Sequence, residues 1–267
     1  MHYVEILKVV DMNFDLVYIY DKNACMHGFK RPKGMVIFMN NYSNHINGED
    51  LYNKLKTDIL TLKLKPGQMI SENEIASEYN VSRTPVKTAF LRLKGEKYIE
   101  IVPQIGSFVT LLDMKYIRDV IYMRAILEME MLNDIIDNGK TQAVVMLLEE
   151  NMSKQHELIN SDSVNPSIFY DIDSTFHYTL FEANNHEKMM DIIQDCQVYY
   201  TRFRILDTAT TERYPELYSE HETILSALKQ EDKVLLRKAI FDHLHGNLQR
   251  LAPEIEGKYK DYFIQYE

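Results

Sequence analysis

From residue 111 onward, apolar positions recur every three or four residues with few breaks, and this spacing predicts a bundle of helices. Met114, Ile117, Val120, Ile121 and Leu132 mark the buried stripe of a helix over Asp113–Asp137. Thr141–Asn160, Pro166–Asn184 (with Asn165 as N-cap), Glu187–Thr208, Tyr214–Lys229 and Asp232–Leu251 complete a set of about six joined by short turns. Before residue 111 the pattern changes. An amphipathic helix over Leu51–Leu62 stops ahead of Lys65-Pro66-Gly67. Ser71-Glu72-Asn73-Glu74 reads as a capping box, Ser71 bonding the Glu74 amide and Glu74 reaching back, with Ile75 and Ala76 as the apolar face of a short helix. Tyr79-Asn80-Val81 makes a turn in which Asn80 tolerates the left-handed conformation. A second helix starts at Ser82 as N-cap, Pro85 is harmless in its first turn, and Val86, Ala89, Phe90 and Leu93 share one face. Tyr98–Val102 and Ser107–Thr110 then read as two short strands about a Gln104-Ile105-Gly106 turn.

Helix, turn, helix and hairpin make a winged helix-turn-helix. Arg83, Thr84 and Lys87 fall at the exposed start of the second helix, where such proteins meet DNA. Ser82, Asn73 and Gly106 at the wing tip are counted with them. The plainer alternative is that Arg83 and Lys87 are solvated charges on a surface helix. The run Leu51–Thr110 resembles the N-terminal domain of GntR-type transcription regulators, on the Pro66-Gly67 pair, Glu72 with Ile75-Ala76, the stretch Val81 to Val86, and the wing-tip glycine. It departs from that pattern at two positions. Lys97 stands where glycine is usual before the first wing strand, and Lys87 stands where arginine is commoner. Lysine cannot make the bidentate guanine contact of arginine.

Composition adds the compartment and the polarity of the molecule. Hydrophobic residues make up 45% and charged residues 26% of the 267, as in an ordinary globular protein with room for two cores. The net charge of −10 argues against nucleic acid, but it is uneven. Leu51–Thr110 carries nine basic residues against six acidic ones, a net +3 on an otherwise acidic body. Cys25 and Cys196 fit no metal or redox spacing and are expected to be ordinary thiols. Absence of a signal pattern or a membrane-length apolar run predicts a cytoplasmic protein with no membrane partner. In residues 1–48, Leu16–Tyr20 reads as a strand or Met35 or Met39 as the true start; both readings stay open.

Asp173 and His177 lie four apart and so share a helix face, with His221 and His243 on two later helices. An Asp/His₃ set suits Zn, Ni, Mn or Fe without selecting among them, and the alternative is a group of satisfied polar residues. Arg124 and Glu128 fall on the apolar face of their helix, either as a structural ion pair or as a carboxylate-binding arginine. The stretch Asp173-Ser174-Thr175-Phe176-His177, the stretch His221-Glu222-Thr223-Ile224 through His243, and the Arg124/Glu128 pair resemble the FCD-type C-terminal effector domain of FadR-like regulators. That resemblance implies a divalent metal on Asp173, His177, His221 and His243. It also implies a small organic acid bound by the metal together with Arg124; Arg202 and Arg204 are further candidate carboxylate partners, with Arg202 preferred of the two. His186 and His245 read as surface residues.

The predicted fold is mostly α: an extension over 1–48, a winged helix-turn-helix over 49–111, an all-α effector-binding bundle over 112–258 and a tail over 259–267. The predicted function is a non-enzymatic transcription regulator that binds a short palindromic operator in double-stranded DNA as a homodimer. The rivals are a metal-dependent hydrolase-like enzyme using the Asp/His₃ centre and a non-allosteric DNA-architectural protein.

Overall fold

The computed structural model describes residues 47–266 except 197 and 212, so Cys25, the Leu16–Tyr20 strand and the alternative starts lie outside the described residues. The chain opens with α1 (Gly48–Leu60), which begins three residues earlier than predicted because the Asn47 side chain accepts from the Glu49 and Asp50 amides. It continues through β1 (Met69–Ile70), α2 (Glu72–Glu78), α3 (Arg83–Gly95), β2 (Ile99–Val102) and β3 (Gly106–Val109). The sheet order is β1-β3-β2, antiparallel throughout, with Ile99 opposite Val109 and Val102 opposite Gly106. Two residues carry no periodicity, so β1 was invisible in the sequence; pairing with β3 alone defines it.

The turn between α2 and α3 places Asn80 at φ 50°, in the left-handed region as expected. The capping box does not form. Ser71 has the extended backbone of an N-cap, but its side chain makes no capping bond, and neither does that of Ser82. Both helix starts lie toward the surface, where first-turn amides can turn to solvent instead of a side-chain cap. Lys97 takes φ 63°, the conformation a glycine holds without cost. Val86, Ala89, Phe90 and Leu93 of α3 pack against Leu51, Leu55 and Ile59 of α1, and burying Phe90 alone contributes roughly 1.5–3 kcal/mol.

The bundle comprises α4 (Met114–Asp137), α5 (Thr141–Ile159), α6 (Pro166–Ala183), α7 (Glu187–Asp195), α8 (Tyr200–Thr211), α9 (Tyr214–Lys229) and α10 (Lys233–Glu256). Side-chain caps from Asp113, Asn165 and Asp232 open α4, α6 and α10. The single helix predicted over Glu187–Thr208 is two. It breaks before Tyr200, where Val198 leaves the bundle to join the core of the winged helix and Tyr199 packs against both cores. That break follows from tertiary packing; no proline or glycine marks it. The tail is anchored as well: a 3-10 turn at Lys260–Tyr262 brings Phe263 into the bundle core and into a bridge with Leu112. Among the described residues no helix is long and apolar enough to cross a membrane.

Candidate functional site

α6 turns one face inward, so Asp173 and His177 are both buried, and α9 and α10 deliver His221 and His243 to the same point. One ligand atom from each of the four lies within 4.8 Å of the others. The Nε2 atom of His243 is 3.2 Å from those of both His221 and His177. Asp173 stands 3.7 Å from His177 Nε2 and 3.6 Å from His221 Nε2, and its Oδ1 is buried without a hydrogen-bond partner.

The opposite ring nitrogens fix the chemistry. His177 Nδ1 meets Glu128 Oε2 at 2.6 Å, His243 Nδ1 meets Glu220 Oε2 at 2.8 Å, and His221 Nδ1 meets Gln155 Oε1 at 2.9 Å. Carboxylate oxygens only accept, so the first two rings donate from Nδ1. The third is fixed by a relay: Asn151 Nδ2 donates to Ile172 O, and Gln155 Nε2 donates to Asn151 Oδ1, which leaves Gln155 Oε1 to accept from His221. As neutral rings, all three imidazoles would turn Nε2 lone pairs toward one another and toward a carboxylate. Such a set is electrostatically unfavourable alone and matches the donor set of a divalent ion with its outer hydrogen bonds in place. The residues fit the metal that the resemblance implied.

Burial pushes the His177 and His221 pKa values down, in His177 against the pull of Glu128, so neutral rings are the favoured form. Burial alone would raise the Asp173 carboxyl, but the Arg204 guanidinium, then the histidines, hold it well below the usual range. Burial likewise opposes the ionisation of Glu128, yet Arg124 and His177 bring it down to about 2.

Beside the cluster lies a small cavity lined by Arg124, Tyr200, Arg204, Asn247 and Arg250. Arg124 donates to Glu128 Oε1 at 2.8 Å and to the Tyr200 hydroxyl at 2.9 Å, so it is a structural partner and a cavity wall together. Arg250 bonds Asp207 and Glu220, and Gly246 gives it room: a Cβ there would fall 2.5 Å from Arg250 Nη1.

Arg202 is a correction. It is fully buried but faces away from the cavity, donating to Val198 O at 2.8 Å, Thr110 O at 2.7 Å and Thr110 Oγ1 at 3.0 Å. Arg204, two residues on, turns the other way onto Asp173. Arg204 falls one turn along the helix face that Tyr200 presents to the cavity, which selects it over Arg202 of the two candidates. Gln155 and Asn151 were also missed, though two polar residues four apart on an apolar stripe are a readable signal. His186 is exposed, and His245 stacks on Phe241 outside the cluster.

In the winged helix, Arg83, Thr84 and Lys87 are exposed at the start of α3, with Ser82 before them and Asn73 exposed on α2. Lys56 and Arg92 are instead tied to Glu96 and Glu49. Gly106 opens β3 at φ 157°, and a Cβ there would meet Met69 Cε at 2.7 Å.

The profile of bacterial regulatory proteins of the gntR family matches residues 47–109, and that of the FCD domain matches residues 119–246. An uncharacterised HTH-type transcriptional regulator of an unstable DNA locus in Streptomyces ambofaciens is 30% identical over 200 residues, 75% of this chain and 83% of that protein. The chain belongs to the GntR family of transcription regulators. A second relative of this GntR-family protein, the HTH-type transcriptional repressor RspR of Escherichia coli K12, is 26% identical and spans 81% of the chain and 93% of its own length. The solved structure of E. coli McbR/YncC shares the fold with a TM-score of 0.56 at 19% identity, covering 78% of this chain and 97% of that one. The family and its relatives are regulators, which sets aside the hydrolase alternative.

Proposed function

We propose that this GntR-family regulator controls its affinity for DNA through a small carboxylate held at a divalent metal in the FCD bundle. Asp173, His177, His221 and His243 would hold the ion, which when bound supplies a Lewis-acid seat for a carboxylate oxygen. Arg124, with its guanidinium on the cavity wall, offers the anion a charge-assisted bond, and Arg204 replaces Arg202 as the second candidate. The observation that carries this reading is the convergence of three Nε2 lone pairs whose rings are each pinned at Nδ1.

At the other end, Arg83, Thr84 and Lys87 would read a DNA half-site, with Ser82, Asn73 and Gly106 near the backbone. One reading helix per chain favours a homodimer on a short palindrome in the cytoplasm, and exposed Tyr122 and Ile126, one turn apart on α4, offer apolar surface for such pairing. We draw the division at 49–111 and 112–258 from the two cores, between which Val198, Tyr199 and Leu62 cross.

Elemental analysis of gently purified protein tests the centre: about one Zn, Ni, Mn or Fe per chain is expected for a single mononuclear site, lost in His177→Ala and His221→Ala. Absence of metal together with no thermal shift on adding Zn²⁺, Ni²⁺ or Mn²⁺ would remove it.

A further inference from the structure

The guanidinium of Arg204 lies on Asp173 Oδ2, on the one anionic member of the four-residue cluster. It is also held over the ring of Tyr170, its Cζ 4.6 Å from the centroid. Around the cluster Arg124 pairs with Glu128 and Arg204 with Asp173, while Arg250 bridges Asp207 and Glu220. A dication entering among the three imidazoles competes with Arg204 for Asp173 and brings two further positive charges into a buried site.

We propose that Arg204 acts as a stand-in cation: it holds Asp173 while the centre is free of metal, yields it to the ion, and then serves the effector's anionic group. This rests on the metal reading above and adds an order of events to it. Metal and anion enhance each other's binding, because each supplies the charge the other needs. The exchange also has a route to the DNA-reading end. Arg204 shares α8 with Arg202, whose guanidinium bonds Thr110 just beyond β3, and Val198 just before α8 sits in the core of the winged helix. A shift of α8 that follows Arg204 therefore acts on both domains.

The test is calorimetric titration of Mn²⁺ and of Zn²⁺ into metal-stripped, full-length wild type, Arg204→Gln and Arg204→Lys. Arg204→Gln is expected to bind metal on the order of tenfold to a hundredfold more tightly, the factor that one charge-assisted hydrogen bond on the carboxylate is worth. Arg204→Lys, a point charge without the planar fork, is expected to fall between the two. A merely structural arginine would give the opposite sign, since loosened packing weakens a site. Unchanged or weaker binding in Arg204→Gln overturns the proposal and leaves the metal centre standing. No uptake by wild type or either variant overturns both. Should Arg204→Gln fail to fold, Arg204→Lys decides alone, and affinity equal to or below wild type is the overturning result.

Discussion

His177 Nε2 and His243 Nε2 face each other at 3.2 Å, and as neutral rings they have no proton to share, because each gives its Nδ1 hydrogen to a carboxylate, Glu128 in one case and Glu220 in the other. The repulsion between the two lone pairs is relieved by a cation or by protonation, and burial disfavours protonation at His177. The outer hydrogen bonds are thus as much a part of the centre as the ligands.

Removing one of them gives the first expectation. Gln155→Ala takes away the acceptor that orients His221, while the four ligands remain. Metal affinity should fall by roughly ten- to a hundredfold with the fold retained, the usual loss for an outer-shell partner. Titration of the variant with Zn²⁺ beside a circular-dichroism melt checks this, and the sign is opposite to that expected of Arg204→Gln. Unaltered affinity would mean that packing alone holds the His221 ring.

Acid should destabilise the metal-free protein in two stages. His177 and His221 have folded pKa values depressed below 6.5, so the unfolded chain binds their protons first and stability drains as pH falls below about that value. Glu128, about 2 when folded against 4.5 unfolded, contributes stability that is present above about pH 4.5 and lost toward pH 2. Urea midpoints measured from pH 8 to pH 4 should decline most steeply on the acid side of pH 6.5. A midpoint that stays flat or rises across that window contradicts the assignment of neutral, buried rings.

On DNA, Arg83→Ala should cost about 1–3 kcal/mol of specific binding at matched salt and relax discrimination at one base position. Lys87→Ala is expected to act through charge, lowering the salt dependence by about one unit of slope. Gel-shift titrations at several salt concentrations separate the two. If Arg83→Ala binds as tightly as wild type, the start of α3 is not the reading surface.

Arg202→Met tests the junction between the domains. The substitution leaves Thr110 O without its buried donor, at a cost of about 1–3 kcal/mol in stability. Burial already lowers the Arg202 pKa to about 10, which still leaves it charged at neutral pH. Metal affinity should stay as in wild type while the effect of metal on DNA binding weakens. A variant with both full stability and full coupling would show that Arg202 bridges nothing of consequence.

Much of this was legible along the chain. Apolar periodicity located the α3 face of Val86, Ala89, Phe90 and Leu93 and the buried stripe of α4, because one-sided burial imposes a 3.6-residue repeat that any helix must display. The i, i+4 spacing placed Asp173 and His177 together, since helix geometry alone puts such residues on one face. Arg124 and Glu128 were visible as charges on an apolar face for the same reason. Three things were decided only in three dimensions. β1 exists because β3 pairs with it. The break before α8 exists because Val198 is buried in the other domain, and of the two arginines that follow it Arg204 rather than Arg202 meets Asp173. The protonation pattern of the three imidazoles depends on Glu128, Gln155 and Glu220, which meet their histidines across 49, 66 and 23 positions of sequence. Local spacing determines which residues share a face; which faces meet, and with what charge, is set by the packing of helices far apart in the chain.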